Sequence, residues 1–262
     1  MNRARWLPLL ALLVAPLATG KADWALFEQY RPEPRLLHFD AGASQTAGTL
    51  LIWPELDQPH LWLAMAEYWQ QRGWDFLLLL PDPDQQAFDP VSEQPSPAQQ
   101  AWLERQAQRL NEALAATESE PPLVVMAQGS AALWFQQLID AGQSRTPDAL
   151  ILLDAHPRAA DQQRMLAISL ARSPYPVLDI HGRSDDAATN ANRQRRRQQV
   201  ARQDKADYEA QRLAAHSLLE RQVAGWLMRR GWLPLPPSAP DYLRGQTHEA
   251  GISRSPDPGA DH

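Results

Sequence analysis

The chain has 262 residues, 44% of them hydrophobic and 21% charged, which is enough for one large α/β domain with a substantial core. Its formal net charge of −6 offers no domain-wide basic field to recruit phosphates, so no nucleic-acid partner is expected. There are 23 prolines, 12 glycines and ten tryptophans, and no cysteine, so no disulfide framework exists.

The N-terminus has the pattern of an export signal. Arg3 and Arg5 give a positive start, Trp6 to Val14 an apolar run, and Pro16 ends it. Ala18, Thr19 and Gly20 then offer small residues for a signal peptidase. The run is short for a bilayer crossing, so no stable membrane span is expected after cleavage. Residues 1–20 are read as a signal peptide and the mature protein as periplasmic, or otherwise secreted by a bacterium. Residues 21–47 form an N-terminal extension with a possible short strand at Leu36 to Phe39. Residues 48–233 form the folded domain. Residues 234–262, rich in Pro, Ser, Gly, Asp and His, read as a disordered tail.

Within the domain, strands and helices alternate. Thr49 to Trp53 is a continuous apolar run, as in a strand buried on both faces. His60 to Arg72 reads as a helix closed by Gly73, and Asp75 to Pro81 as the next strand. After an acidic, proline-rich loop, Ala98 to Ala116 has a helical stripe at Leu103, Ala107, Leu110 and Leu114. Strands are expected at Leu123 to Ala127, Ala149 to Leu153, Pro176 to Ile180 and, at an edge, Tyr208 to Ala214. Helices are expected at Ser130 to Ala141, Ala159 to Ala171, Ala187 to Gln203 and Ser217 to Arg230. The basic cluster from Arg193 to Arg197 lies in a Gln-rich stretch and reads as a solvated helix face. Such alternation means right-handed crossovers and a mostly parallel sheet with helices on both faces.

Leu123 to Ala132 is a buried strand turning sharply into a helix through small residues. A nucleophile elbow has this shape and needs small residues two before and two after the nucleophile. Centred on Gly129 the flanks are Ala127 and Ala131; centred on Ser130 they are Gln128 and Ala132. The first register fits the crowding better and puts Gly129 at the nucleophile position. Glycine takes the positive φ of an elbow without strain. Ser130 then supplies the N–H of an oxyanion hole, with its side chain turned one helical step (~100°) aside. Gln-Gly-Ser-Ala-Ala is equally a strand-to-helix junction with Ser130 as helix N-cap, its expected role.

Gly182-Arg183-Ser184-Asp185 follows a parallel strand and is similar to the acid turn of α/β-hydrolases, pointing to Asp185. It is also ordinary turn chemistry. His216, between the last strand and last helix, completes the order nucleophile, acid, histidine; there it would orient on Asp185 and serve as a general base. His38, His60, His156 and His181 are further candidates. None has metal-ligand spacing, so neither a metal nor a cofactor is expected. The loop Pro54 to Pro59 stands where the fold places its other oxyanion donor, yet carries Glu55 and Asp57, which oppose a developing oxyanion.

On Gly48 to Trp53, Arg72-Gly73-Trp74 through Pro81, Ala127 to Ala131, Pro176 to Ile180 and the Arg-rich helix up to Tyr208, the chain resembles an uncharacterised, domain-of-unknown-function family of exported bacterial proteins in the α/β-hydrolase superfamily. The resemblance runs from about Gly48 to Trp232. It implies an α/β-hydrolase-like domain with a minimal cap and no particular substrate. The acid and histidine positions fall on Asp185 and His216; no nucleophile carries over. Three readings follow. One is a binding or assembly protein, without ordinary serine-hydrolase activity, for an unknown small-molecule or envelope partner. Another is an esterase or amidase using Ser130, or water activated by His216. The last is a structural factor presenting tryptophans such as Trp62 or Trp69 at an interface.

Overall fold

The computed structural model describes residues 36–42, 46–55, 60–80, 96–115, 122–157, 159–182, 187–213, 215 and 218–235, with backbone alone at 60, 61 and 188. All of them belong to one compact unit that begins at Pro34. Its strands are β1 (Leu36–Phe39), β2 (Gly48–Trp53), β3 (Trp74–Leu79), β4 (Leu123–Gln128), β5 (Ala149–Leu153), β6 (Val177–His181) and β7 (Tyr208–Arg212). Its helices are α1 (His60–Gln70), α2 (Pro97–Ala115), α3 (Ala131–Asp140), α4 (Ala160–Arg172), α5 (Ala187–Arg202) and α6 (Leu219–Arg229). Each expected element forms within a few residues of its expected bounds. Gly73, with φ +74°, ends the α1 segment as a C-cap glycine does.

The strands form one seven-stranded sheet in the order β1-β3-β2-β4-β5-β6-β7. All neighbours are parallel except β1, which pairs antiparallel with β3 and puts Leu36 opposite Leu79. The expected short strand at Leu36 to Phe39 is thus one edge of the sheet. The opposite edge, β7, is half-buried and carries Glu209 and Arg212, charges that discourage edge-to-edge pairing.

Every residue of β2, β3 and β5 is buried, because helices cover both faces. Period-2 alternation divides the apolar side chains between two layers. Leu51, Trp53, Val125, Leu150 and Leu152 face Trp102 and Leu110 of α2, Trp134 and Leu138 of α3, and Leu166 and Leu170 of α4. Leu50, Ile52, Val124, Met126, Ile151 and Leu178 face Trp62, Met65 and Trp69 of α1 and Val223, Trp226 and Leu227 of α6. Trp62 and Trp69, offered above as interface residues, are therefore corrected: they are 1% and 0% exposed. Only Met165 and Leu218 stand out as exposed large apolar side chains among the described residues, so these leave no apolar patch. Among the described residues no helix is long and apolar enough to cross a membrane.

Arg196 also departs from expectation. Within the basic run of α5 it points inward and is 2% exposed, not solvated. Its guanidinium grips the fully buried Asp179 of β6 at two points, Nε to Oδ2 at 2.8 Å and Nη2 to Oδ1 at 3.0 Å. The Tyr208 hydroxyl donates to the same carboxylate. The neighbours Arg195 and Arg197 remain exposed.

Candidate functional site

Parallel strands aim their carboxyl ends at one rim of the sheet, where open α/β sheets place ligands. The residues directly after β2, β4, β5 and β6 come together there, Glu55 beside Gly129 and Asp154 beside Gly182. Gly129 makes the turn from β4 into α3 with φ +57°, a left-handed conformation that glycine holds without the cost of a Cβ. Its N–H donates to the Leu153 carbonyl at 2.9 Å, which ties the turn to the end of β5.

The space beside Gly129 is filled from the loop after β2. A Cβ on Gly129 would lie 2.1 Å from Glu55 Oε2, 2.3 Å from Cδ and 2.5 Å from Oε1. The Glu55 carboxyl group thus stands where a side chain at the elbow would stand. Its Oε1 accepts a hydrogen bond from the Ser130 backbone N–H at 3.2 Å. A carboxylate at the first turn of α3 is also favoured by the helix dipole. The Glu55 backbone N–H in turn donates to Gln128 Oε1 at 2.9 Å, so the last residue of β4 anchors the loop that carries Glu55. Gln128 sits one step before Gly129, where the chosen register leaves room for a long side chain.

Ser130 takes the N-cap position of α3 with φ −70° and ψ −25°, already helical, and makes no side-chain capping bond. The capping role expected for its hydroxyl is corrected. A capping side chain normally accompanies an extended backbone, and Ser130 has entered the helix one residue too early for that. Asp185, His216, Asp57 and the signal segment lie outside the described residues, as does the 234–262 tail beyond Leu235.

The histidine it does bring to the elbow is His156, in the loop after β5. His156 Nε2 lies 3.8 Å from Glu55 Oε1. Its Nδ1 lies 2.5 Å from the Asp154 carbonyl oxygen. A carbonyl can only accept, so Nδ1 bears hydrogen and Nε2 is the atom turned to Glu55. Asp154 itself has φ +48°, unusual for a residue with a side chain. Its Oδ1 accepts from the Gly182 N–H at 2.6 Å, and its own N–H donates to Ile180 at 2.9 Å, which together hold that conformation. The loop is fixed further by Arg196 Nη1, which donates to the Ala155 carbonyl at 2.8 Å, and by Asn192 Nδ2, which donates to Pro157 at 3.3 Å.

His181 ends β6 on the same rim. Burial, with Arg193 adding to it, pulls its imidazole below the ordinary histidine value against the opposing pull of Asp179 and Asp154. Its Nδ1 is buried without a hydrogen-bond partner among the described residues. His38 lies away from the rim, with Nε2 4.0 Å from Asp75 near the amino end of β3. The side chain of His60 is outside the described residues. Among the described residues no group of three His, Asp or Glu is placed to hold a metal ion. Sequence reasoning had singled out Glu55 as an opposing charge, but missed Asp154 and left His156 unassigned. The signal was Asp-Ala-His-Pro directly after a buried strand.

Comparison with known proteins agrees with this architecture. Residues 80–232, more than half of the chain, match the family described as "Protein of unknown function (DUF3530)", and the chain belongs to that family. No curated protein matches the sequence. Among solved structures, the chain is similar to a lipase/esterase from Lactobacillus plantarum, with TM-score 0.53 and 10% identity over 76% of this chain and 93% of that one. It is also similar to acyl-protein thioesterase 2 from Zea mays, with TM-score 0.51 and 14% identity over 74% and 97%. A third is the esterase domain of a Rhodothermus marinus protein, with TM-score 0.50 and 10% identity over 74% and 97%. At such identities the likeness establishes the α/β-hydrolase fold.

Proposed function

We propose that the chain is an exported, envelope-associated binding protein that keeps the α/β-hydrolase fold but lacks ordinary serine-hydrolase activity. One observation carries this reading: the Glu55 carboxylate lies beside Gly129 and accepts the Ser130 N–H. Acyl transfer through a serine needs that N–H for the oxyanion that develops on the substrate. Here a full negative charge already holds it and would repel a second. Gly129 offers no side chain to attack with. The export signal read at residues 1–20 supports placement in the envelope. The strand-end rim, with Glu55, His156 and His181, is the natural seat for a ligand in this fold.

A second reading rests on Ser130. Because its hydroxyl is not used to cap α3, it could serve as nucleophile with His216 and Asp185 in an esterase or amidase. A fluorophosphonate probe separates the two. Under the binding reading the full chain stays unlabelled while an active serine esterase in the same tube is labelled. Labelling of the wild type that disappears in Ser130→Ala would overturn it.

A further inference from the structure

We propose that Glu55 is a carboxylate nucleophile that captures an epoxide at the elbow, with His156 as its proton-transfer partner. This rests on the reading that the elbow has no working serine, and goes beyond it by giving the cleft a reaction of its own.

The two oxygens of Glu55 are in different states. Oε1 is held by the Ser130 N–H, whereas Oε2 accepts no hydrogen bond among the described residues. Oε2 is also the atom nearest the place that a Gly129 Cβ would take. A nucleophilic oxygen is thus delivered to the elbow from the β2 loop. Carboxylates do act as nucleophiles when one oxygen is free to attack. His156 faces the same carboxyl group through Nε2, the ring atom left for proton transfer once Nδ1 is committed to the Asp154 carbonyl. The side chains of Glu55 and His156 are 27% and 33% exposed, so a ligand can reach both.

The hydrogen bond to Ser130 decides the class of electrophile. An acyl group would need that donor for its own oxyanion, and Glu55 holds it. Attack at a saturated carbon forms no oxyanion at the carbon attacked. In the first step Oε2 bonds to an epoxide carbon and the ring C–O bond breaks. Its electron pair goes to the ring oxygen, which takes a proton from the imidazolium form of His156. A glutamyl ester with a neighbouring hydroxyl remains, its carbonyl oxygen Oε1 already polarised by the Ser130 N–H. In the second step the now neutral His156 takes a proton from water, and the hydroxide adds to Cδ of Glu55. The ester C–O bond then breaks, and the leaving alkoxide takes the carboxyl proton. One water is consumed and a diol leaves. Glu55 is again a carboxylate and His156 an imidazolium, with nothing oxidised or reduced.

The test incubates the full chain with 1,2-epoxyhexane, quenches in acid and maps adducts by peptide mass spectrometry. The expected result is one ester adduct on Glu55, formed more slowly in His156→Ala, where ring opening loses its proton donor, but with a lifetime about 100-fold longer there, where hydrolysis loses its base. Glu55→Gln keeps an acceptor for the Ser130 N–H, so it folds, as thermal unfolding checks, and carries no adduct. Absence of a Glu55 adduct in both wild type and His156→Ala overturns the proposal and leaves the binding reading standing. An adduct unchanged by Glu55→Gln overturns it too. Fluorophosphonate labelling of Ser130 would instead remove the premise, so the two failures are told apart.

Discussion

At the carboxyl rim, acidic and imidazole groups are held by main-chain atoms more than by one another. Glu55 is fixed through the Ser130 N–H, His156 through the Asp154 carbonyl, and the Asp154 side chain through the Gly182 N–H. Among the described residues His181 has no such partner at Nδ1, and burial holds its imidazole below the ordinary value of 6.5. The unfolded chain therefore binds the proton that the folded chain resists, and stability rises with pH up to about the unfolded value near 6.5. Denaturant midpoints measured between pH 5 and 8 should climb toward neutrality and then flatten for this group. The climb should be shallower in His181→Gln; an unchanged slope would count against the buried imidazole as its source. Much of this neighbourhood was legible in the residues. Ala127 and Ala131 located the turn at Gly129, because crowding acts over adjacent positions. The seat of the Glu55 carboxylate was not legible, since it joins residues 75 positions apart through one side-chain conformation. Ser130 was misassigned because a helix N-cap and an elbow use the same small polar residues.

Among the elements, α5 shows how composition can conceal an inner face. Its arginines at 193, 195, 196 and 197 look alike in a charge count. Yet Asn192, Arg196 and Val200 are buried at spacings of four, and that stripe was the available signal. The stripe packs α5 toward β6 through Arg196 and Asp179. A charge in that position is tolerated only with its partner, since an unpaired buried charge is costly. Arg196→Met should therefore lose about 3–5 kcal/mol in chemical denaturation, as Asp179 is left bare. The double variant Asp179→Leu with Arg196→Met should recover most of that loss. Equal losses in the single and double variants would show that packing, not charge, sets the cost. Because Arg196 also donates to Ala155, the single variant loosens the loop bearing His156.

For the whole molecule, the long apolar strands and their alternation with helices were the most readable feature, because a sheet covered on both faces imposes continuous apolar runs. The layer that each tryptophan joins was harder to read. Trp62 and Trp69 sit on a helix with few charges, and only the packed sheet decides that both turn inward. Trp69 is fully buried with its ring 5.8 Å from that of Trp74 and 5.5 Å from that of Tyr68. Trp69→Ala should then cost about 3–5 kcal/mol of stability, read from urea unfolding. Its elution volume on size exclusion should not change. A shift in elution with stability preserved would instead mark Trp69 as an interface residue.

The alternation along β2 has a further consequence. Leu50 and Ile52 belong to the layer under α1 and α6, while Leu51 and Trp53 belong to the layer under α2, α3 and α4. Side chains on opposite faces of the sheet share no partners, so substitutions in the two layers combine nearly additively. Even-numbered and odd-numbered positions of one strand can then drift separately over generations, each answerable only to its own helices. The two lineages of change meet at the strand ends, where Glu55, Gly129 and Asp154 stand.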